Sequence, residues 1–208
     1  MRVAILGGTG SFGGSLARRL VSVGEQVVVG SRDAERARAA ATDLGRGTNG
    51  AVNEEAVKGV DLVVLAVKAD GALATARAVA APLGDTPLLS VASVIQFRKG
   101  IGAVPDASTP SLAERIQEIV SAPVAAGLHS IAAASLDGEP PDEDALVCGD
   151  DDRAKELALE LAKTVVSGRA LDAGPLASAR ALEGLTAVIV NLNRRYKGHA
   201  GVRVTGIA

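Results

Sequence analysis

The chain has 208 residues, with 22 Lys and Arg against 24 Asp and Glu, and 48% of it is hydrophobic. That length accommodates one large domain, or a domain with a small appendage, around a sizeable core. The net charge of −2 and a pI near 5.7 argue against nucleic acid or an anionic membrane as a main partner. Cys148 is the only cysteine, so no intrachain disulfide can form, and a lone Cys in an apolar run reads as a small core residue. The N-terminal apolar run meets glycine too soon for a secretory signal. No stretch approaches the roughly 20 apolar residues of a spanning helix, and a cytoplasmic location is expected.

Arg2–Leu6 predicts a buried parallel strand ending at glycines. Phe12, Leu16, Leu20 and Val23 recur at near-helical spacing, and Gly24 closes that helix. Gln26–Val29 is the second strand, Ala34–Leu44 a helix ending at Gly45, and Gly50–Asn53 a short third strand before a brief helix from Glu54. Asp61–Val67 is the fourth strand, Gly71–Ala81 an alanine-rich helix, and Pro87–Val91 the fifth strand. Ala92–Pro110 reads as one long irregular loop, a lid or a partner surface. Ser111-Leu112-Ala113-Glu114 is a capping box opening a helix to about Val120. Pro123–Leu128 and Ala145–Cys148 are further strands. Asp150, Asp151 and Asp152 open the helix Arg153–Val166, where the helix dipole favours them, so no metal is expected there. Arg169–Leu171 is a last strand, and Leu176–Arg194 a last helix before a basic tail. The apolar face of that helix (Leu182, Leu185, Val188, Ile189, Leu192) packs on its own domain or on a partner subunit.

Repeated strand–helix–strand units imply an α/β, Rossmann-type fold: a doubly wound, mostly parallel sheet with helices on both faces and a small C-terminal helical part. Ligands of such sheets sit beyond the carboxyl ends of the strands, at the switch point. Gly8-Thr9-Gly10-Ser11-Phe12-Gly13 satisfies G-x-G-x-x-G after the first strand and at the opening of a helix. Gly8 permits the turn, Gly10 the approach of a pyrophosphate, and Gly13 the packing of helix on strand, while the helix N-terminus supplies amide donors. An NAD site ends its second strand on a carboxylate, but this one ends on Gly30-Ser31-Arg32. A hydroxyl and a guanidinium suit a 2′-phosphate, and Arg36 lies one turn after Arg32, so NADP is the expected cofactor. Asp33 is expected to cap the next helix. The alternative has Arg32 and Arg36 paired with Asp33 or Glu35 on the surface.

Hydride transfer asks for alignment more than for acid–base groups, but a carbonyl reductase still needs a proton donor. The only Tyr, Tyr196, is followed directly by Lys197, so no Tyr-x-x-x-Lys pair exists. His129 directly follows a predicted strand and is the candidate catalytic residue, as proton donor or substrate hydrogen-bond partner. Three readings stay open on residues alone: a hydride-transferring reductase of a second carrier, an imine or carbonyl reductase using His129 or Lys68, and an NADP-sensing module without catalysis.

Four stretches carry a family resemblance. They are Met1 to Gly10, Val28-Val29-Gly30-Ser31-Arg32, Val147-Cys148-Gly149-Asp150-Asp151-Asp152 and Leu171-Asp172-Ala173-Gly174-Pro175-Leu176, with weaker agreement around Leu128-His129-Ser130-Ile131 and Ser178–Asn191. In these the chain resembles the NADPH-dependent reductases of the deazaflavin coenzyme F-420 (8-hydroxy-5-deazaflavin:NADPH oxidoreductases). The resemblance implies reversible hydride transfer between NADP(H) and coenzyme F-420 in a homo-oligomer, a dimer, without metal. It divides the chain into an NADP-binding domain, 1–172, and a helix and tail, 173–208, that complete the second-substrate site. By motif, Thr9, Gly10, Ser11 and Phe12 hold the pyrophosphate, and Ser31, Arg32 and Arg36 the 2′-phosphate. Val67, with Lys68 beside it, and Ala133 flank the nicotinamide, and Ala200 contacts the deazaflavin. Lys68-Ala69, Ile131-Ala132 and Val91-Ala92 stand where the family carries prolines. The cations Arg194, Arg195, Lys197 and Arg203 either meet the coenzyme's phosphate and glutamate tail or form a solvated helix end.

Overall fold

Alternation along the strands divides the apolar residues between two helical layers. In the first strand, β1 (Arg2–Leu6), Val3 and Ile5 pack with Leu16 and Leu20 of α1 (Ser11–Ser22). Ala4 and Leu6 turn to the other side, toward Ala72, Ala76 and Val79 of α4 (Ala69–Leu83). All four strand residues are fully buried, and burial of each larger aliphatic side chain contributes roughly 1.5–3 kcal/mol. The computed structural model describes residues 1–106 and 110–207; residues 107–109 of the expected long loop lie outside them.

The remaining strands are β2 (Gln26–Ser31), β3 (Asn49–Val52), β4 (Leu62–Leu65), β5 (Leu88–Ser90), β6 (Ile95–Arg98), β7 (Gly102–Pro105), β8 (Val124–Gly127), β9 (Ala145–Gly149) and β10 (Ala170–Asp172). Among the described residues, eight of them form one sheet in the order β10-β9-β8-β5-β4-β1-β2-β3. The six strands from β3 to β8 in that row are mutually parallel, and the order reverses between β1 and β4. This is the doubly wound, Rossmann-type arrangement that the strand–helix repeats predict. β9 runs antiparallel to β8, with Gly127 opposite Val147, and β10 runs parallel to β9. The start of β9 therefore stands beside the carboxyl ends of the six parallel strands.

Helix ends follow their capping chemistry. Asp33 accepts from the amides of Glu35 and Arg36 and opens α2 (Ala34–Leu44), as expected. Ser111 and Glu114 form the expected capping box of α5, though α5 spans only Leu112–Gln117. It stops short of Val120 because the Gln117 side chain bonds the Val120 and Ala122 carbonyls and the Val124 amide, tying helix end to strand start. Asp151 caps α6 (Asp152–Val165), and Asp150 accepts from the Leu176 amide, so the acidic run serves helix and loop ends. A short α3 (Asn53–Ala56) follows β3. The last helix, α7 (Ala179–Tyr196), starts later than its periodicity suggests, after a 3-10 turn at Leu176–Ser178. Among the described residues no helix is long and apolar enough to cross a membrane.

One expectation is corrected. The stretch after β5 is not irregular throughout: β6 and β7 pair as an antiparallel hairpin, with Arg98 opposite Gly102. Gly100 and Gly102, with φ of +76° and +107°, supply the left-handed turn that closes it. A lone hairpin is marginal in water. This one is fastened to α7, where the Asn191 carboxamide accepts from the Ala103 amide at 2.8 Å and donates to its carbonyl at 2.7 Å.

Candidate functional site

The carboxyl ends of β1, β2, β4, β5 and β8 converge on the order reversal, and most of the residues singled out by sequence lie there. The glycine loop is a close-packed cradle. Gly7, the residue before the motif, adopts φ +87° and makes the turn itself, and a Cβ on it would lie 2.7 Å from the Ala66 carbonyl oxygen. Gly8 is buried and donates to the Ile5 carbonyl. A Cβ on Gly13 would lie 2.4 Å from the Gly7 oxygen, so only glycine lets α1 descend onto the loop. Thr9 and Phe12 are half-buried, while Gly10, the N-cap of α1, and Ser11 are exposed. No side chain caps α1 and its first turn has no acidic residue, so its amides and the positive end of its dipole face outward. That arrangement suits an anion, and a dinucleotide pyrophosphate fits it.

At the end of β2, Ser31 is buried and its Oγ accepts from the Asp33 amide at 3.2 Å. Arg32 and Arg36 are exposed. Among the described residues neither guanidinium is in an ion pair, and Asp33 is engaged as a cap. The alternative of a local surface pairing is therefore not what the chain adopts. Two arginines and a hydroxyl border one rim with no carboxylate committed to them, which fits a 2′-phosphate. Across the loop, Val67 is half-buried with its Cγ1 3.0 Å from the position of a Gly7 Cβ, and Lys68 is exposed at the N-cap of α4.

The far wall comes from the segment after β8. Leu128 adopts φ +63°, an uncommon conformation for a non-glycine residue, and turns the chain so that His129 is only 6% exposed. Burial pulls the His129 imidazole from 6.5 to about 4, the Ala92 backbone offsetting part of that, yet neither ring nitrogen has a hydrogen-bond partner of good geometry. The ring is thus neutral at pH 7, a hydrogen-bonding group rather than a stored proton. Ser130 Oγ and Ser90 Oγ, at the ends of the neighbouring strands, are also buried without partners. Ala133 begins a 3-10 turn, Ala133–Leu136, that packs on α1.

Sequence reasoning missed what fixes this wall. Thr186 of α7 donates to the His129 carbonyl at 2.9 Å and shares a 2.7 Å hydrogen bond with Ser93, after β5. Arg18 of α1 grips Asp137 through Nε and Nη2 at 3.1 and 3.0 Å, Ser15 reaches the same carboxylate, and Arg19 bonds the Gly138 carbonyl. No local motif announces contacts between residues more than fifty positions apart.

The tail reaches the same end of the sheet at its β9–β10 side. Asp144, fully buried, accepts from the Arg169 guanidinium at 2.8 Å and from the Val204 amide at 2.8 Å, while Arg169 also donates to the Val204 and Ile207 carbonyls. The Arg169 hydrogen bonds hold the Asp144 carboxyl well below the usual carboxylate range. Next to it, burial pushes Glu143 up from 4.5 to about 7, with its Oε2 unpartnered. Ala200 is half-buried, its amide bonded to Asn193 Oδ1. A separate concavity of about 360 Å³, lined by Arg2, Glu25 and Arg46 among others, lies at the amino end of β2, away from all these groups.

Known proteins place this geometry in a family. The family model described as "NADP oxidoreductase coenzyme F420-dependent" matches residues 2–93. The chain is 36% identical to the F420-dependent NADP reductase of Methanothermobacter thermautotrophicus, over 100% of this chain and 96% of that protein. It is 35% identical to the F420-dependent NADP reductase of Methanothermobacter marburgensis, over 100% and 99%. The crystal structure of a proposed F420-dependent NADP reductase from Arthrobacter sp. FB24 superposes with a TM-score of 0.85 at 26% identity, covering 99% of this chain and 100% of that one.

Proposed function

Because the chain belongs to the family of F420-dependent NADP reductases, we propose that it transfers a hydride reversibly between NADP(H) and the deazaflavin coenzyme F-420. The observation that carries the cofactor half is the glycine cradle beside an Arg32 and Arg36 left without carboxylate partners.

When bound, the two coenzymes supply the redox chemistry between nicotinamide C4 and deazaflavin C5, with no covalent bond to the protein and no metal. The protein binds and aligns. Amides at the start of α1, with Thr9, Ser11 and Phe12, hold the pyrophosphate, and Ser31, Arg32 and Arg36 hold the 2′-phosphate. Val67 and Ala133 bound the nicotinamide from opposite walls, with Lys68 at the mouth. His129, neutral, offers a ring N–H or an acceptor nitrogen to the deazaflavin; Ala200 borders the second ring. Residues 1–172 serve the dinucleotide and residues 173–208 complete the second site.

The imine or carbonyl reductase reading asks for a proton donor at neutral pH from His129 or Lys68; a His129 held near 4 is ill suited to that, and Lys68 is exposed at the N-cap of α4. We further propose a homodimer in the cytoplasm, supported by Val188 and Leu192 of α7, which are 52% and 38% exposed. Size-exclusion chromatography with light scattering tests the dimer, and a monomeric mass refutes it.

The decisive assay mixes protein, NADPH and oxidised F-420 and follows the coenzyme's visible absorbance. Bleaching with matched NADPH consumption is expected. Absence of bleaching where NADPH binding is demonstrated rejects the proposal.

A further inference from the structure

The basic residues of the C-terminal segment do not form one patch. Arg203 pairs with Asp142, while Arg195 and Lys197 are exposed at the end of α7. Arg194 instead places its guanidinium over the Phe97 ring of the hairpin, 5.8 Å from the centroid. There Arg194, Arg98 and Lys99 share the lining of one concavity of about 510 Å³ with Phe97 and Ile101, and among the described residues no carboxylate lines it. Phe97 and Ile101 are 63% and 67% exposed, so three cations surround apolar surface left in the open.

The concavity is held in register with the reaction site. Asn191 fixes the hairpin to α7, and Thr186 on the same helix bonds the His129 carbonyl and Ser93. Eight residues separate Thr186 from Arg194, about 12 Å along the helix axis. A deazaflavin ring placed beside His129, as proposed above, lies within a span of that order from the concavity.

We propose that this concavity binds the anionic tail of the deazaflavin co-substrate, its phosphate against Arg194 and Arg98 and its carboxylates toward Lys99. The proposal rests on the deazaflavin reading of the site. Arginine presents a planar fork that matches phosphate oxygens, and lysine a point charge for a more mobile carboxylate. Phe97 and Ile101 offer apolar contact to the aliphatic part of the tail and exclude water from the charge pairs. The chemistry is that of a phosphodiester followed by carboxylates, which a neutral small-molecule substrate lacks.

The test compares two substrates: F-420 with its full tail, and 8-hydroxy-5-deazariboflavin, the same ring system without phosphate or glutamates. In the exposed triple variant Arg98→Ser/Lys99→Ser/Arg194→Ser, KM for full F-420 is expected to rise roughly tenfold, each surface contact supplying a few-fold. KM for the tail-less ring is expected to shift less than about twofold, since exposed pairs act only on the charges they meet. Added salt raises KM for the full coenzyme in the wild type and much less in the variant. Arg194→Lys recovers part of the loss relative to Arg194→Ser. Equal shifts for both substrates, or none for either, overturn the tail site while leaving the hydride-transfer reading intact. Failure of the wild type to reduce either deazaflavin rejects that reading and the tail site with it.

Discussion

Arg18 and Asp137, 119 positions apart, join α1, the helix proposed to hold the pyrophosphate, to the Ala133–Leu136 turn proposed to bound the nicotinamide. The Arg18 Nε and Nη2 both reach one carboxylate oxygen, so the amino end of α1 and the Ala133–Leu136 turn are positioned by one helix. Both side chains are more than half exposed, and the pair stabilises the fold by under about 1 kcal/mol. Its expected effect is on alignment: Asp137→Ala lowers kcat several-fold with KM for NADPH little changed. The charge-swapped pair Arg18→Asp/Asp137→Arg restores part of the loss. Steady-state kinetics on the four members of the cycle measures the coupling, and strictly additive losses refute it.

Arg32→Ala is expected to weaken NADPH binding by about 1.5–3 kcal/mol, ten- to over a hundredfold, as befits the loss of a hydrogen bond to a charged group. NADH, without a 2′-phosphate, is expected to bind as before. Titration of intrinsic NADPH and NADH fluorescence reads both, and equal losses would remove Arg32 from the 2′-phosphate site.

Two neighbouring glycines are expected to differ sharply. A methyl group on Gly13 meets the Gly7 oxygen at 2.4 Å, backbone on both sides, whereas one on Gly14 meets the Gly8 oxygen at 3.4 Å and the flexible Arg18 Nη1 at 3.9 Å, both ordinary contacts. Gly13→Ala is expected to cost about 1–3 kcal/mol and to abolish NADPH binding by lifting α1 off the loop. Gly14→Ala is expected to be tolerated, with helix propensity in its favour by about 1 kcal/mol. Thermal melts with and without NADPH decide.

Stability should depend on pH through two buried groups with opposite signs. His129 falls from 6.5 to about 4 on folding, so between those values the unfolded chain binds the extra proton, and stability is lost as pH drops through that window. Glu143 rises from 4.5 to about 7, so there the folded chain holds the extra proton, and stability is lost as pH climbs through that window. The two oppose each other between 4.5 and 6.5, and only Glu143 acts from 6.5 to about 7. Glu143→Gln is expected to lessen the decline above pH 6.5, and His129→Gln to remove the acid loss between 6.5 and about 4, while the depressed Asp144 carboxyl keeps its own loss at lower pH. Chemical denaturation at a series of pH values checks both, and a variant with the wild-type profile would contradict its assignment.

Much of this architecture is legible in the residues. β-branched runs ending at glycine mark β1 and β2, and Asp33, Ser111 and Glu114 announce their helices because capping is local chemistry. The cofactor rim is legible for the same reason: Gly8 to Gly13 and Ser31-Arg32 are short contiguous patterns. The Arg98–Gly102 hairpin is less legible because its strands, Ile95–Arg98 and Gly102–Pro105, are only four residues long, and its stability comes from Asn191 on a distant helix. His129 was legible as a residue at a strand end but not as a buried one. A left-handed Leu128 makes that difference, and nothing about a leucine predicts φ +63°.

The hairpin of β6 and β7 shares no hydrogen bond ladder with the main sheet, and α7 is what carries it. Remodelling the hairpin, as distinct from α7, therefore leaves the glycine cradle, Arg32 and the first five strands of the sheet untouched. Variation in the proposed tail site can accumulate on this one separable hairpin while the sheet and its glycine loop stay constant. A chain of this design is evolvable in its second substrate at little risk to its first.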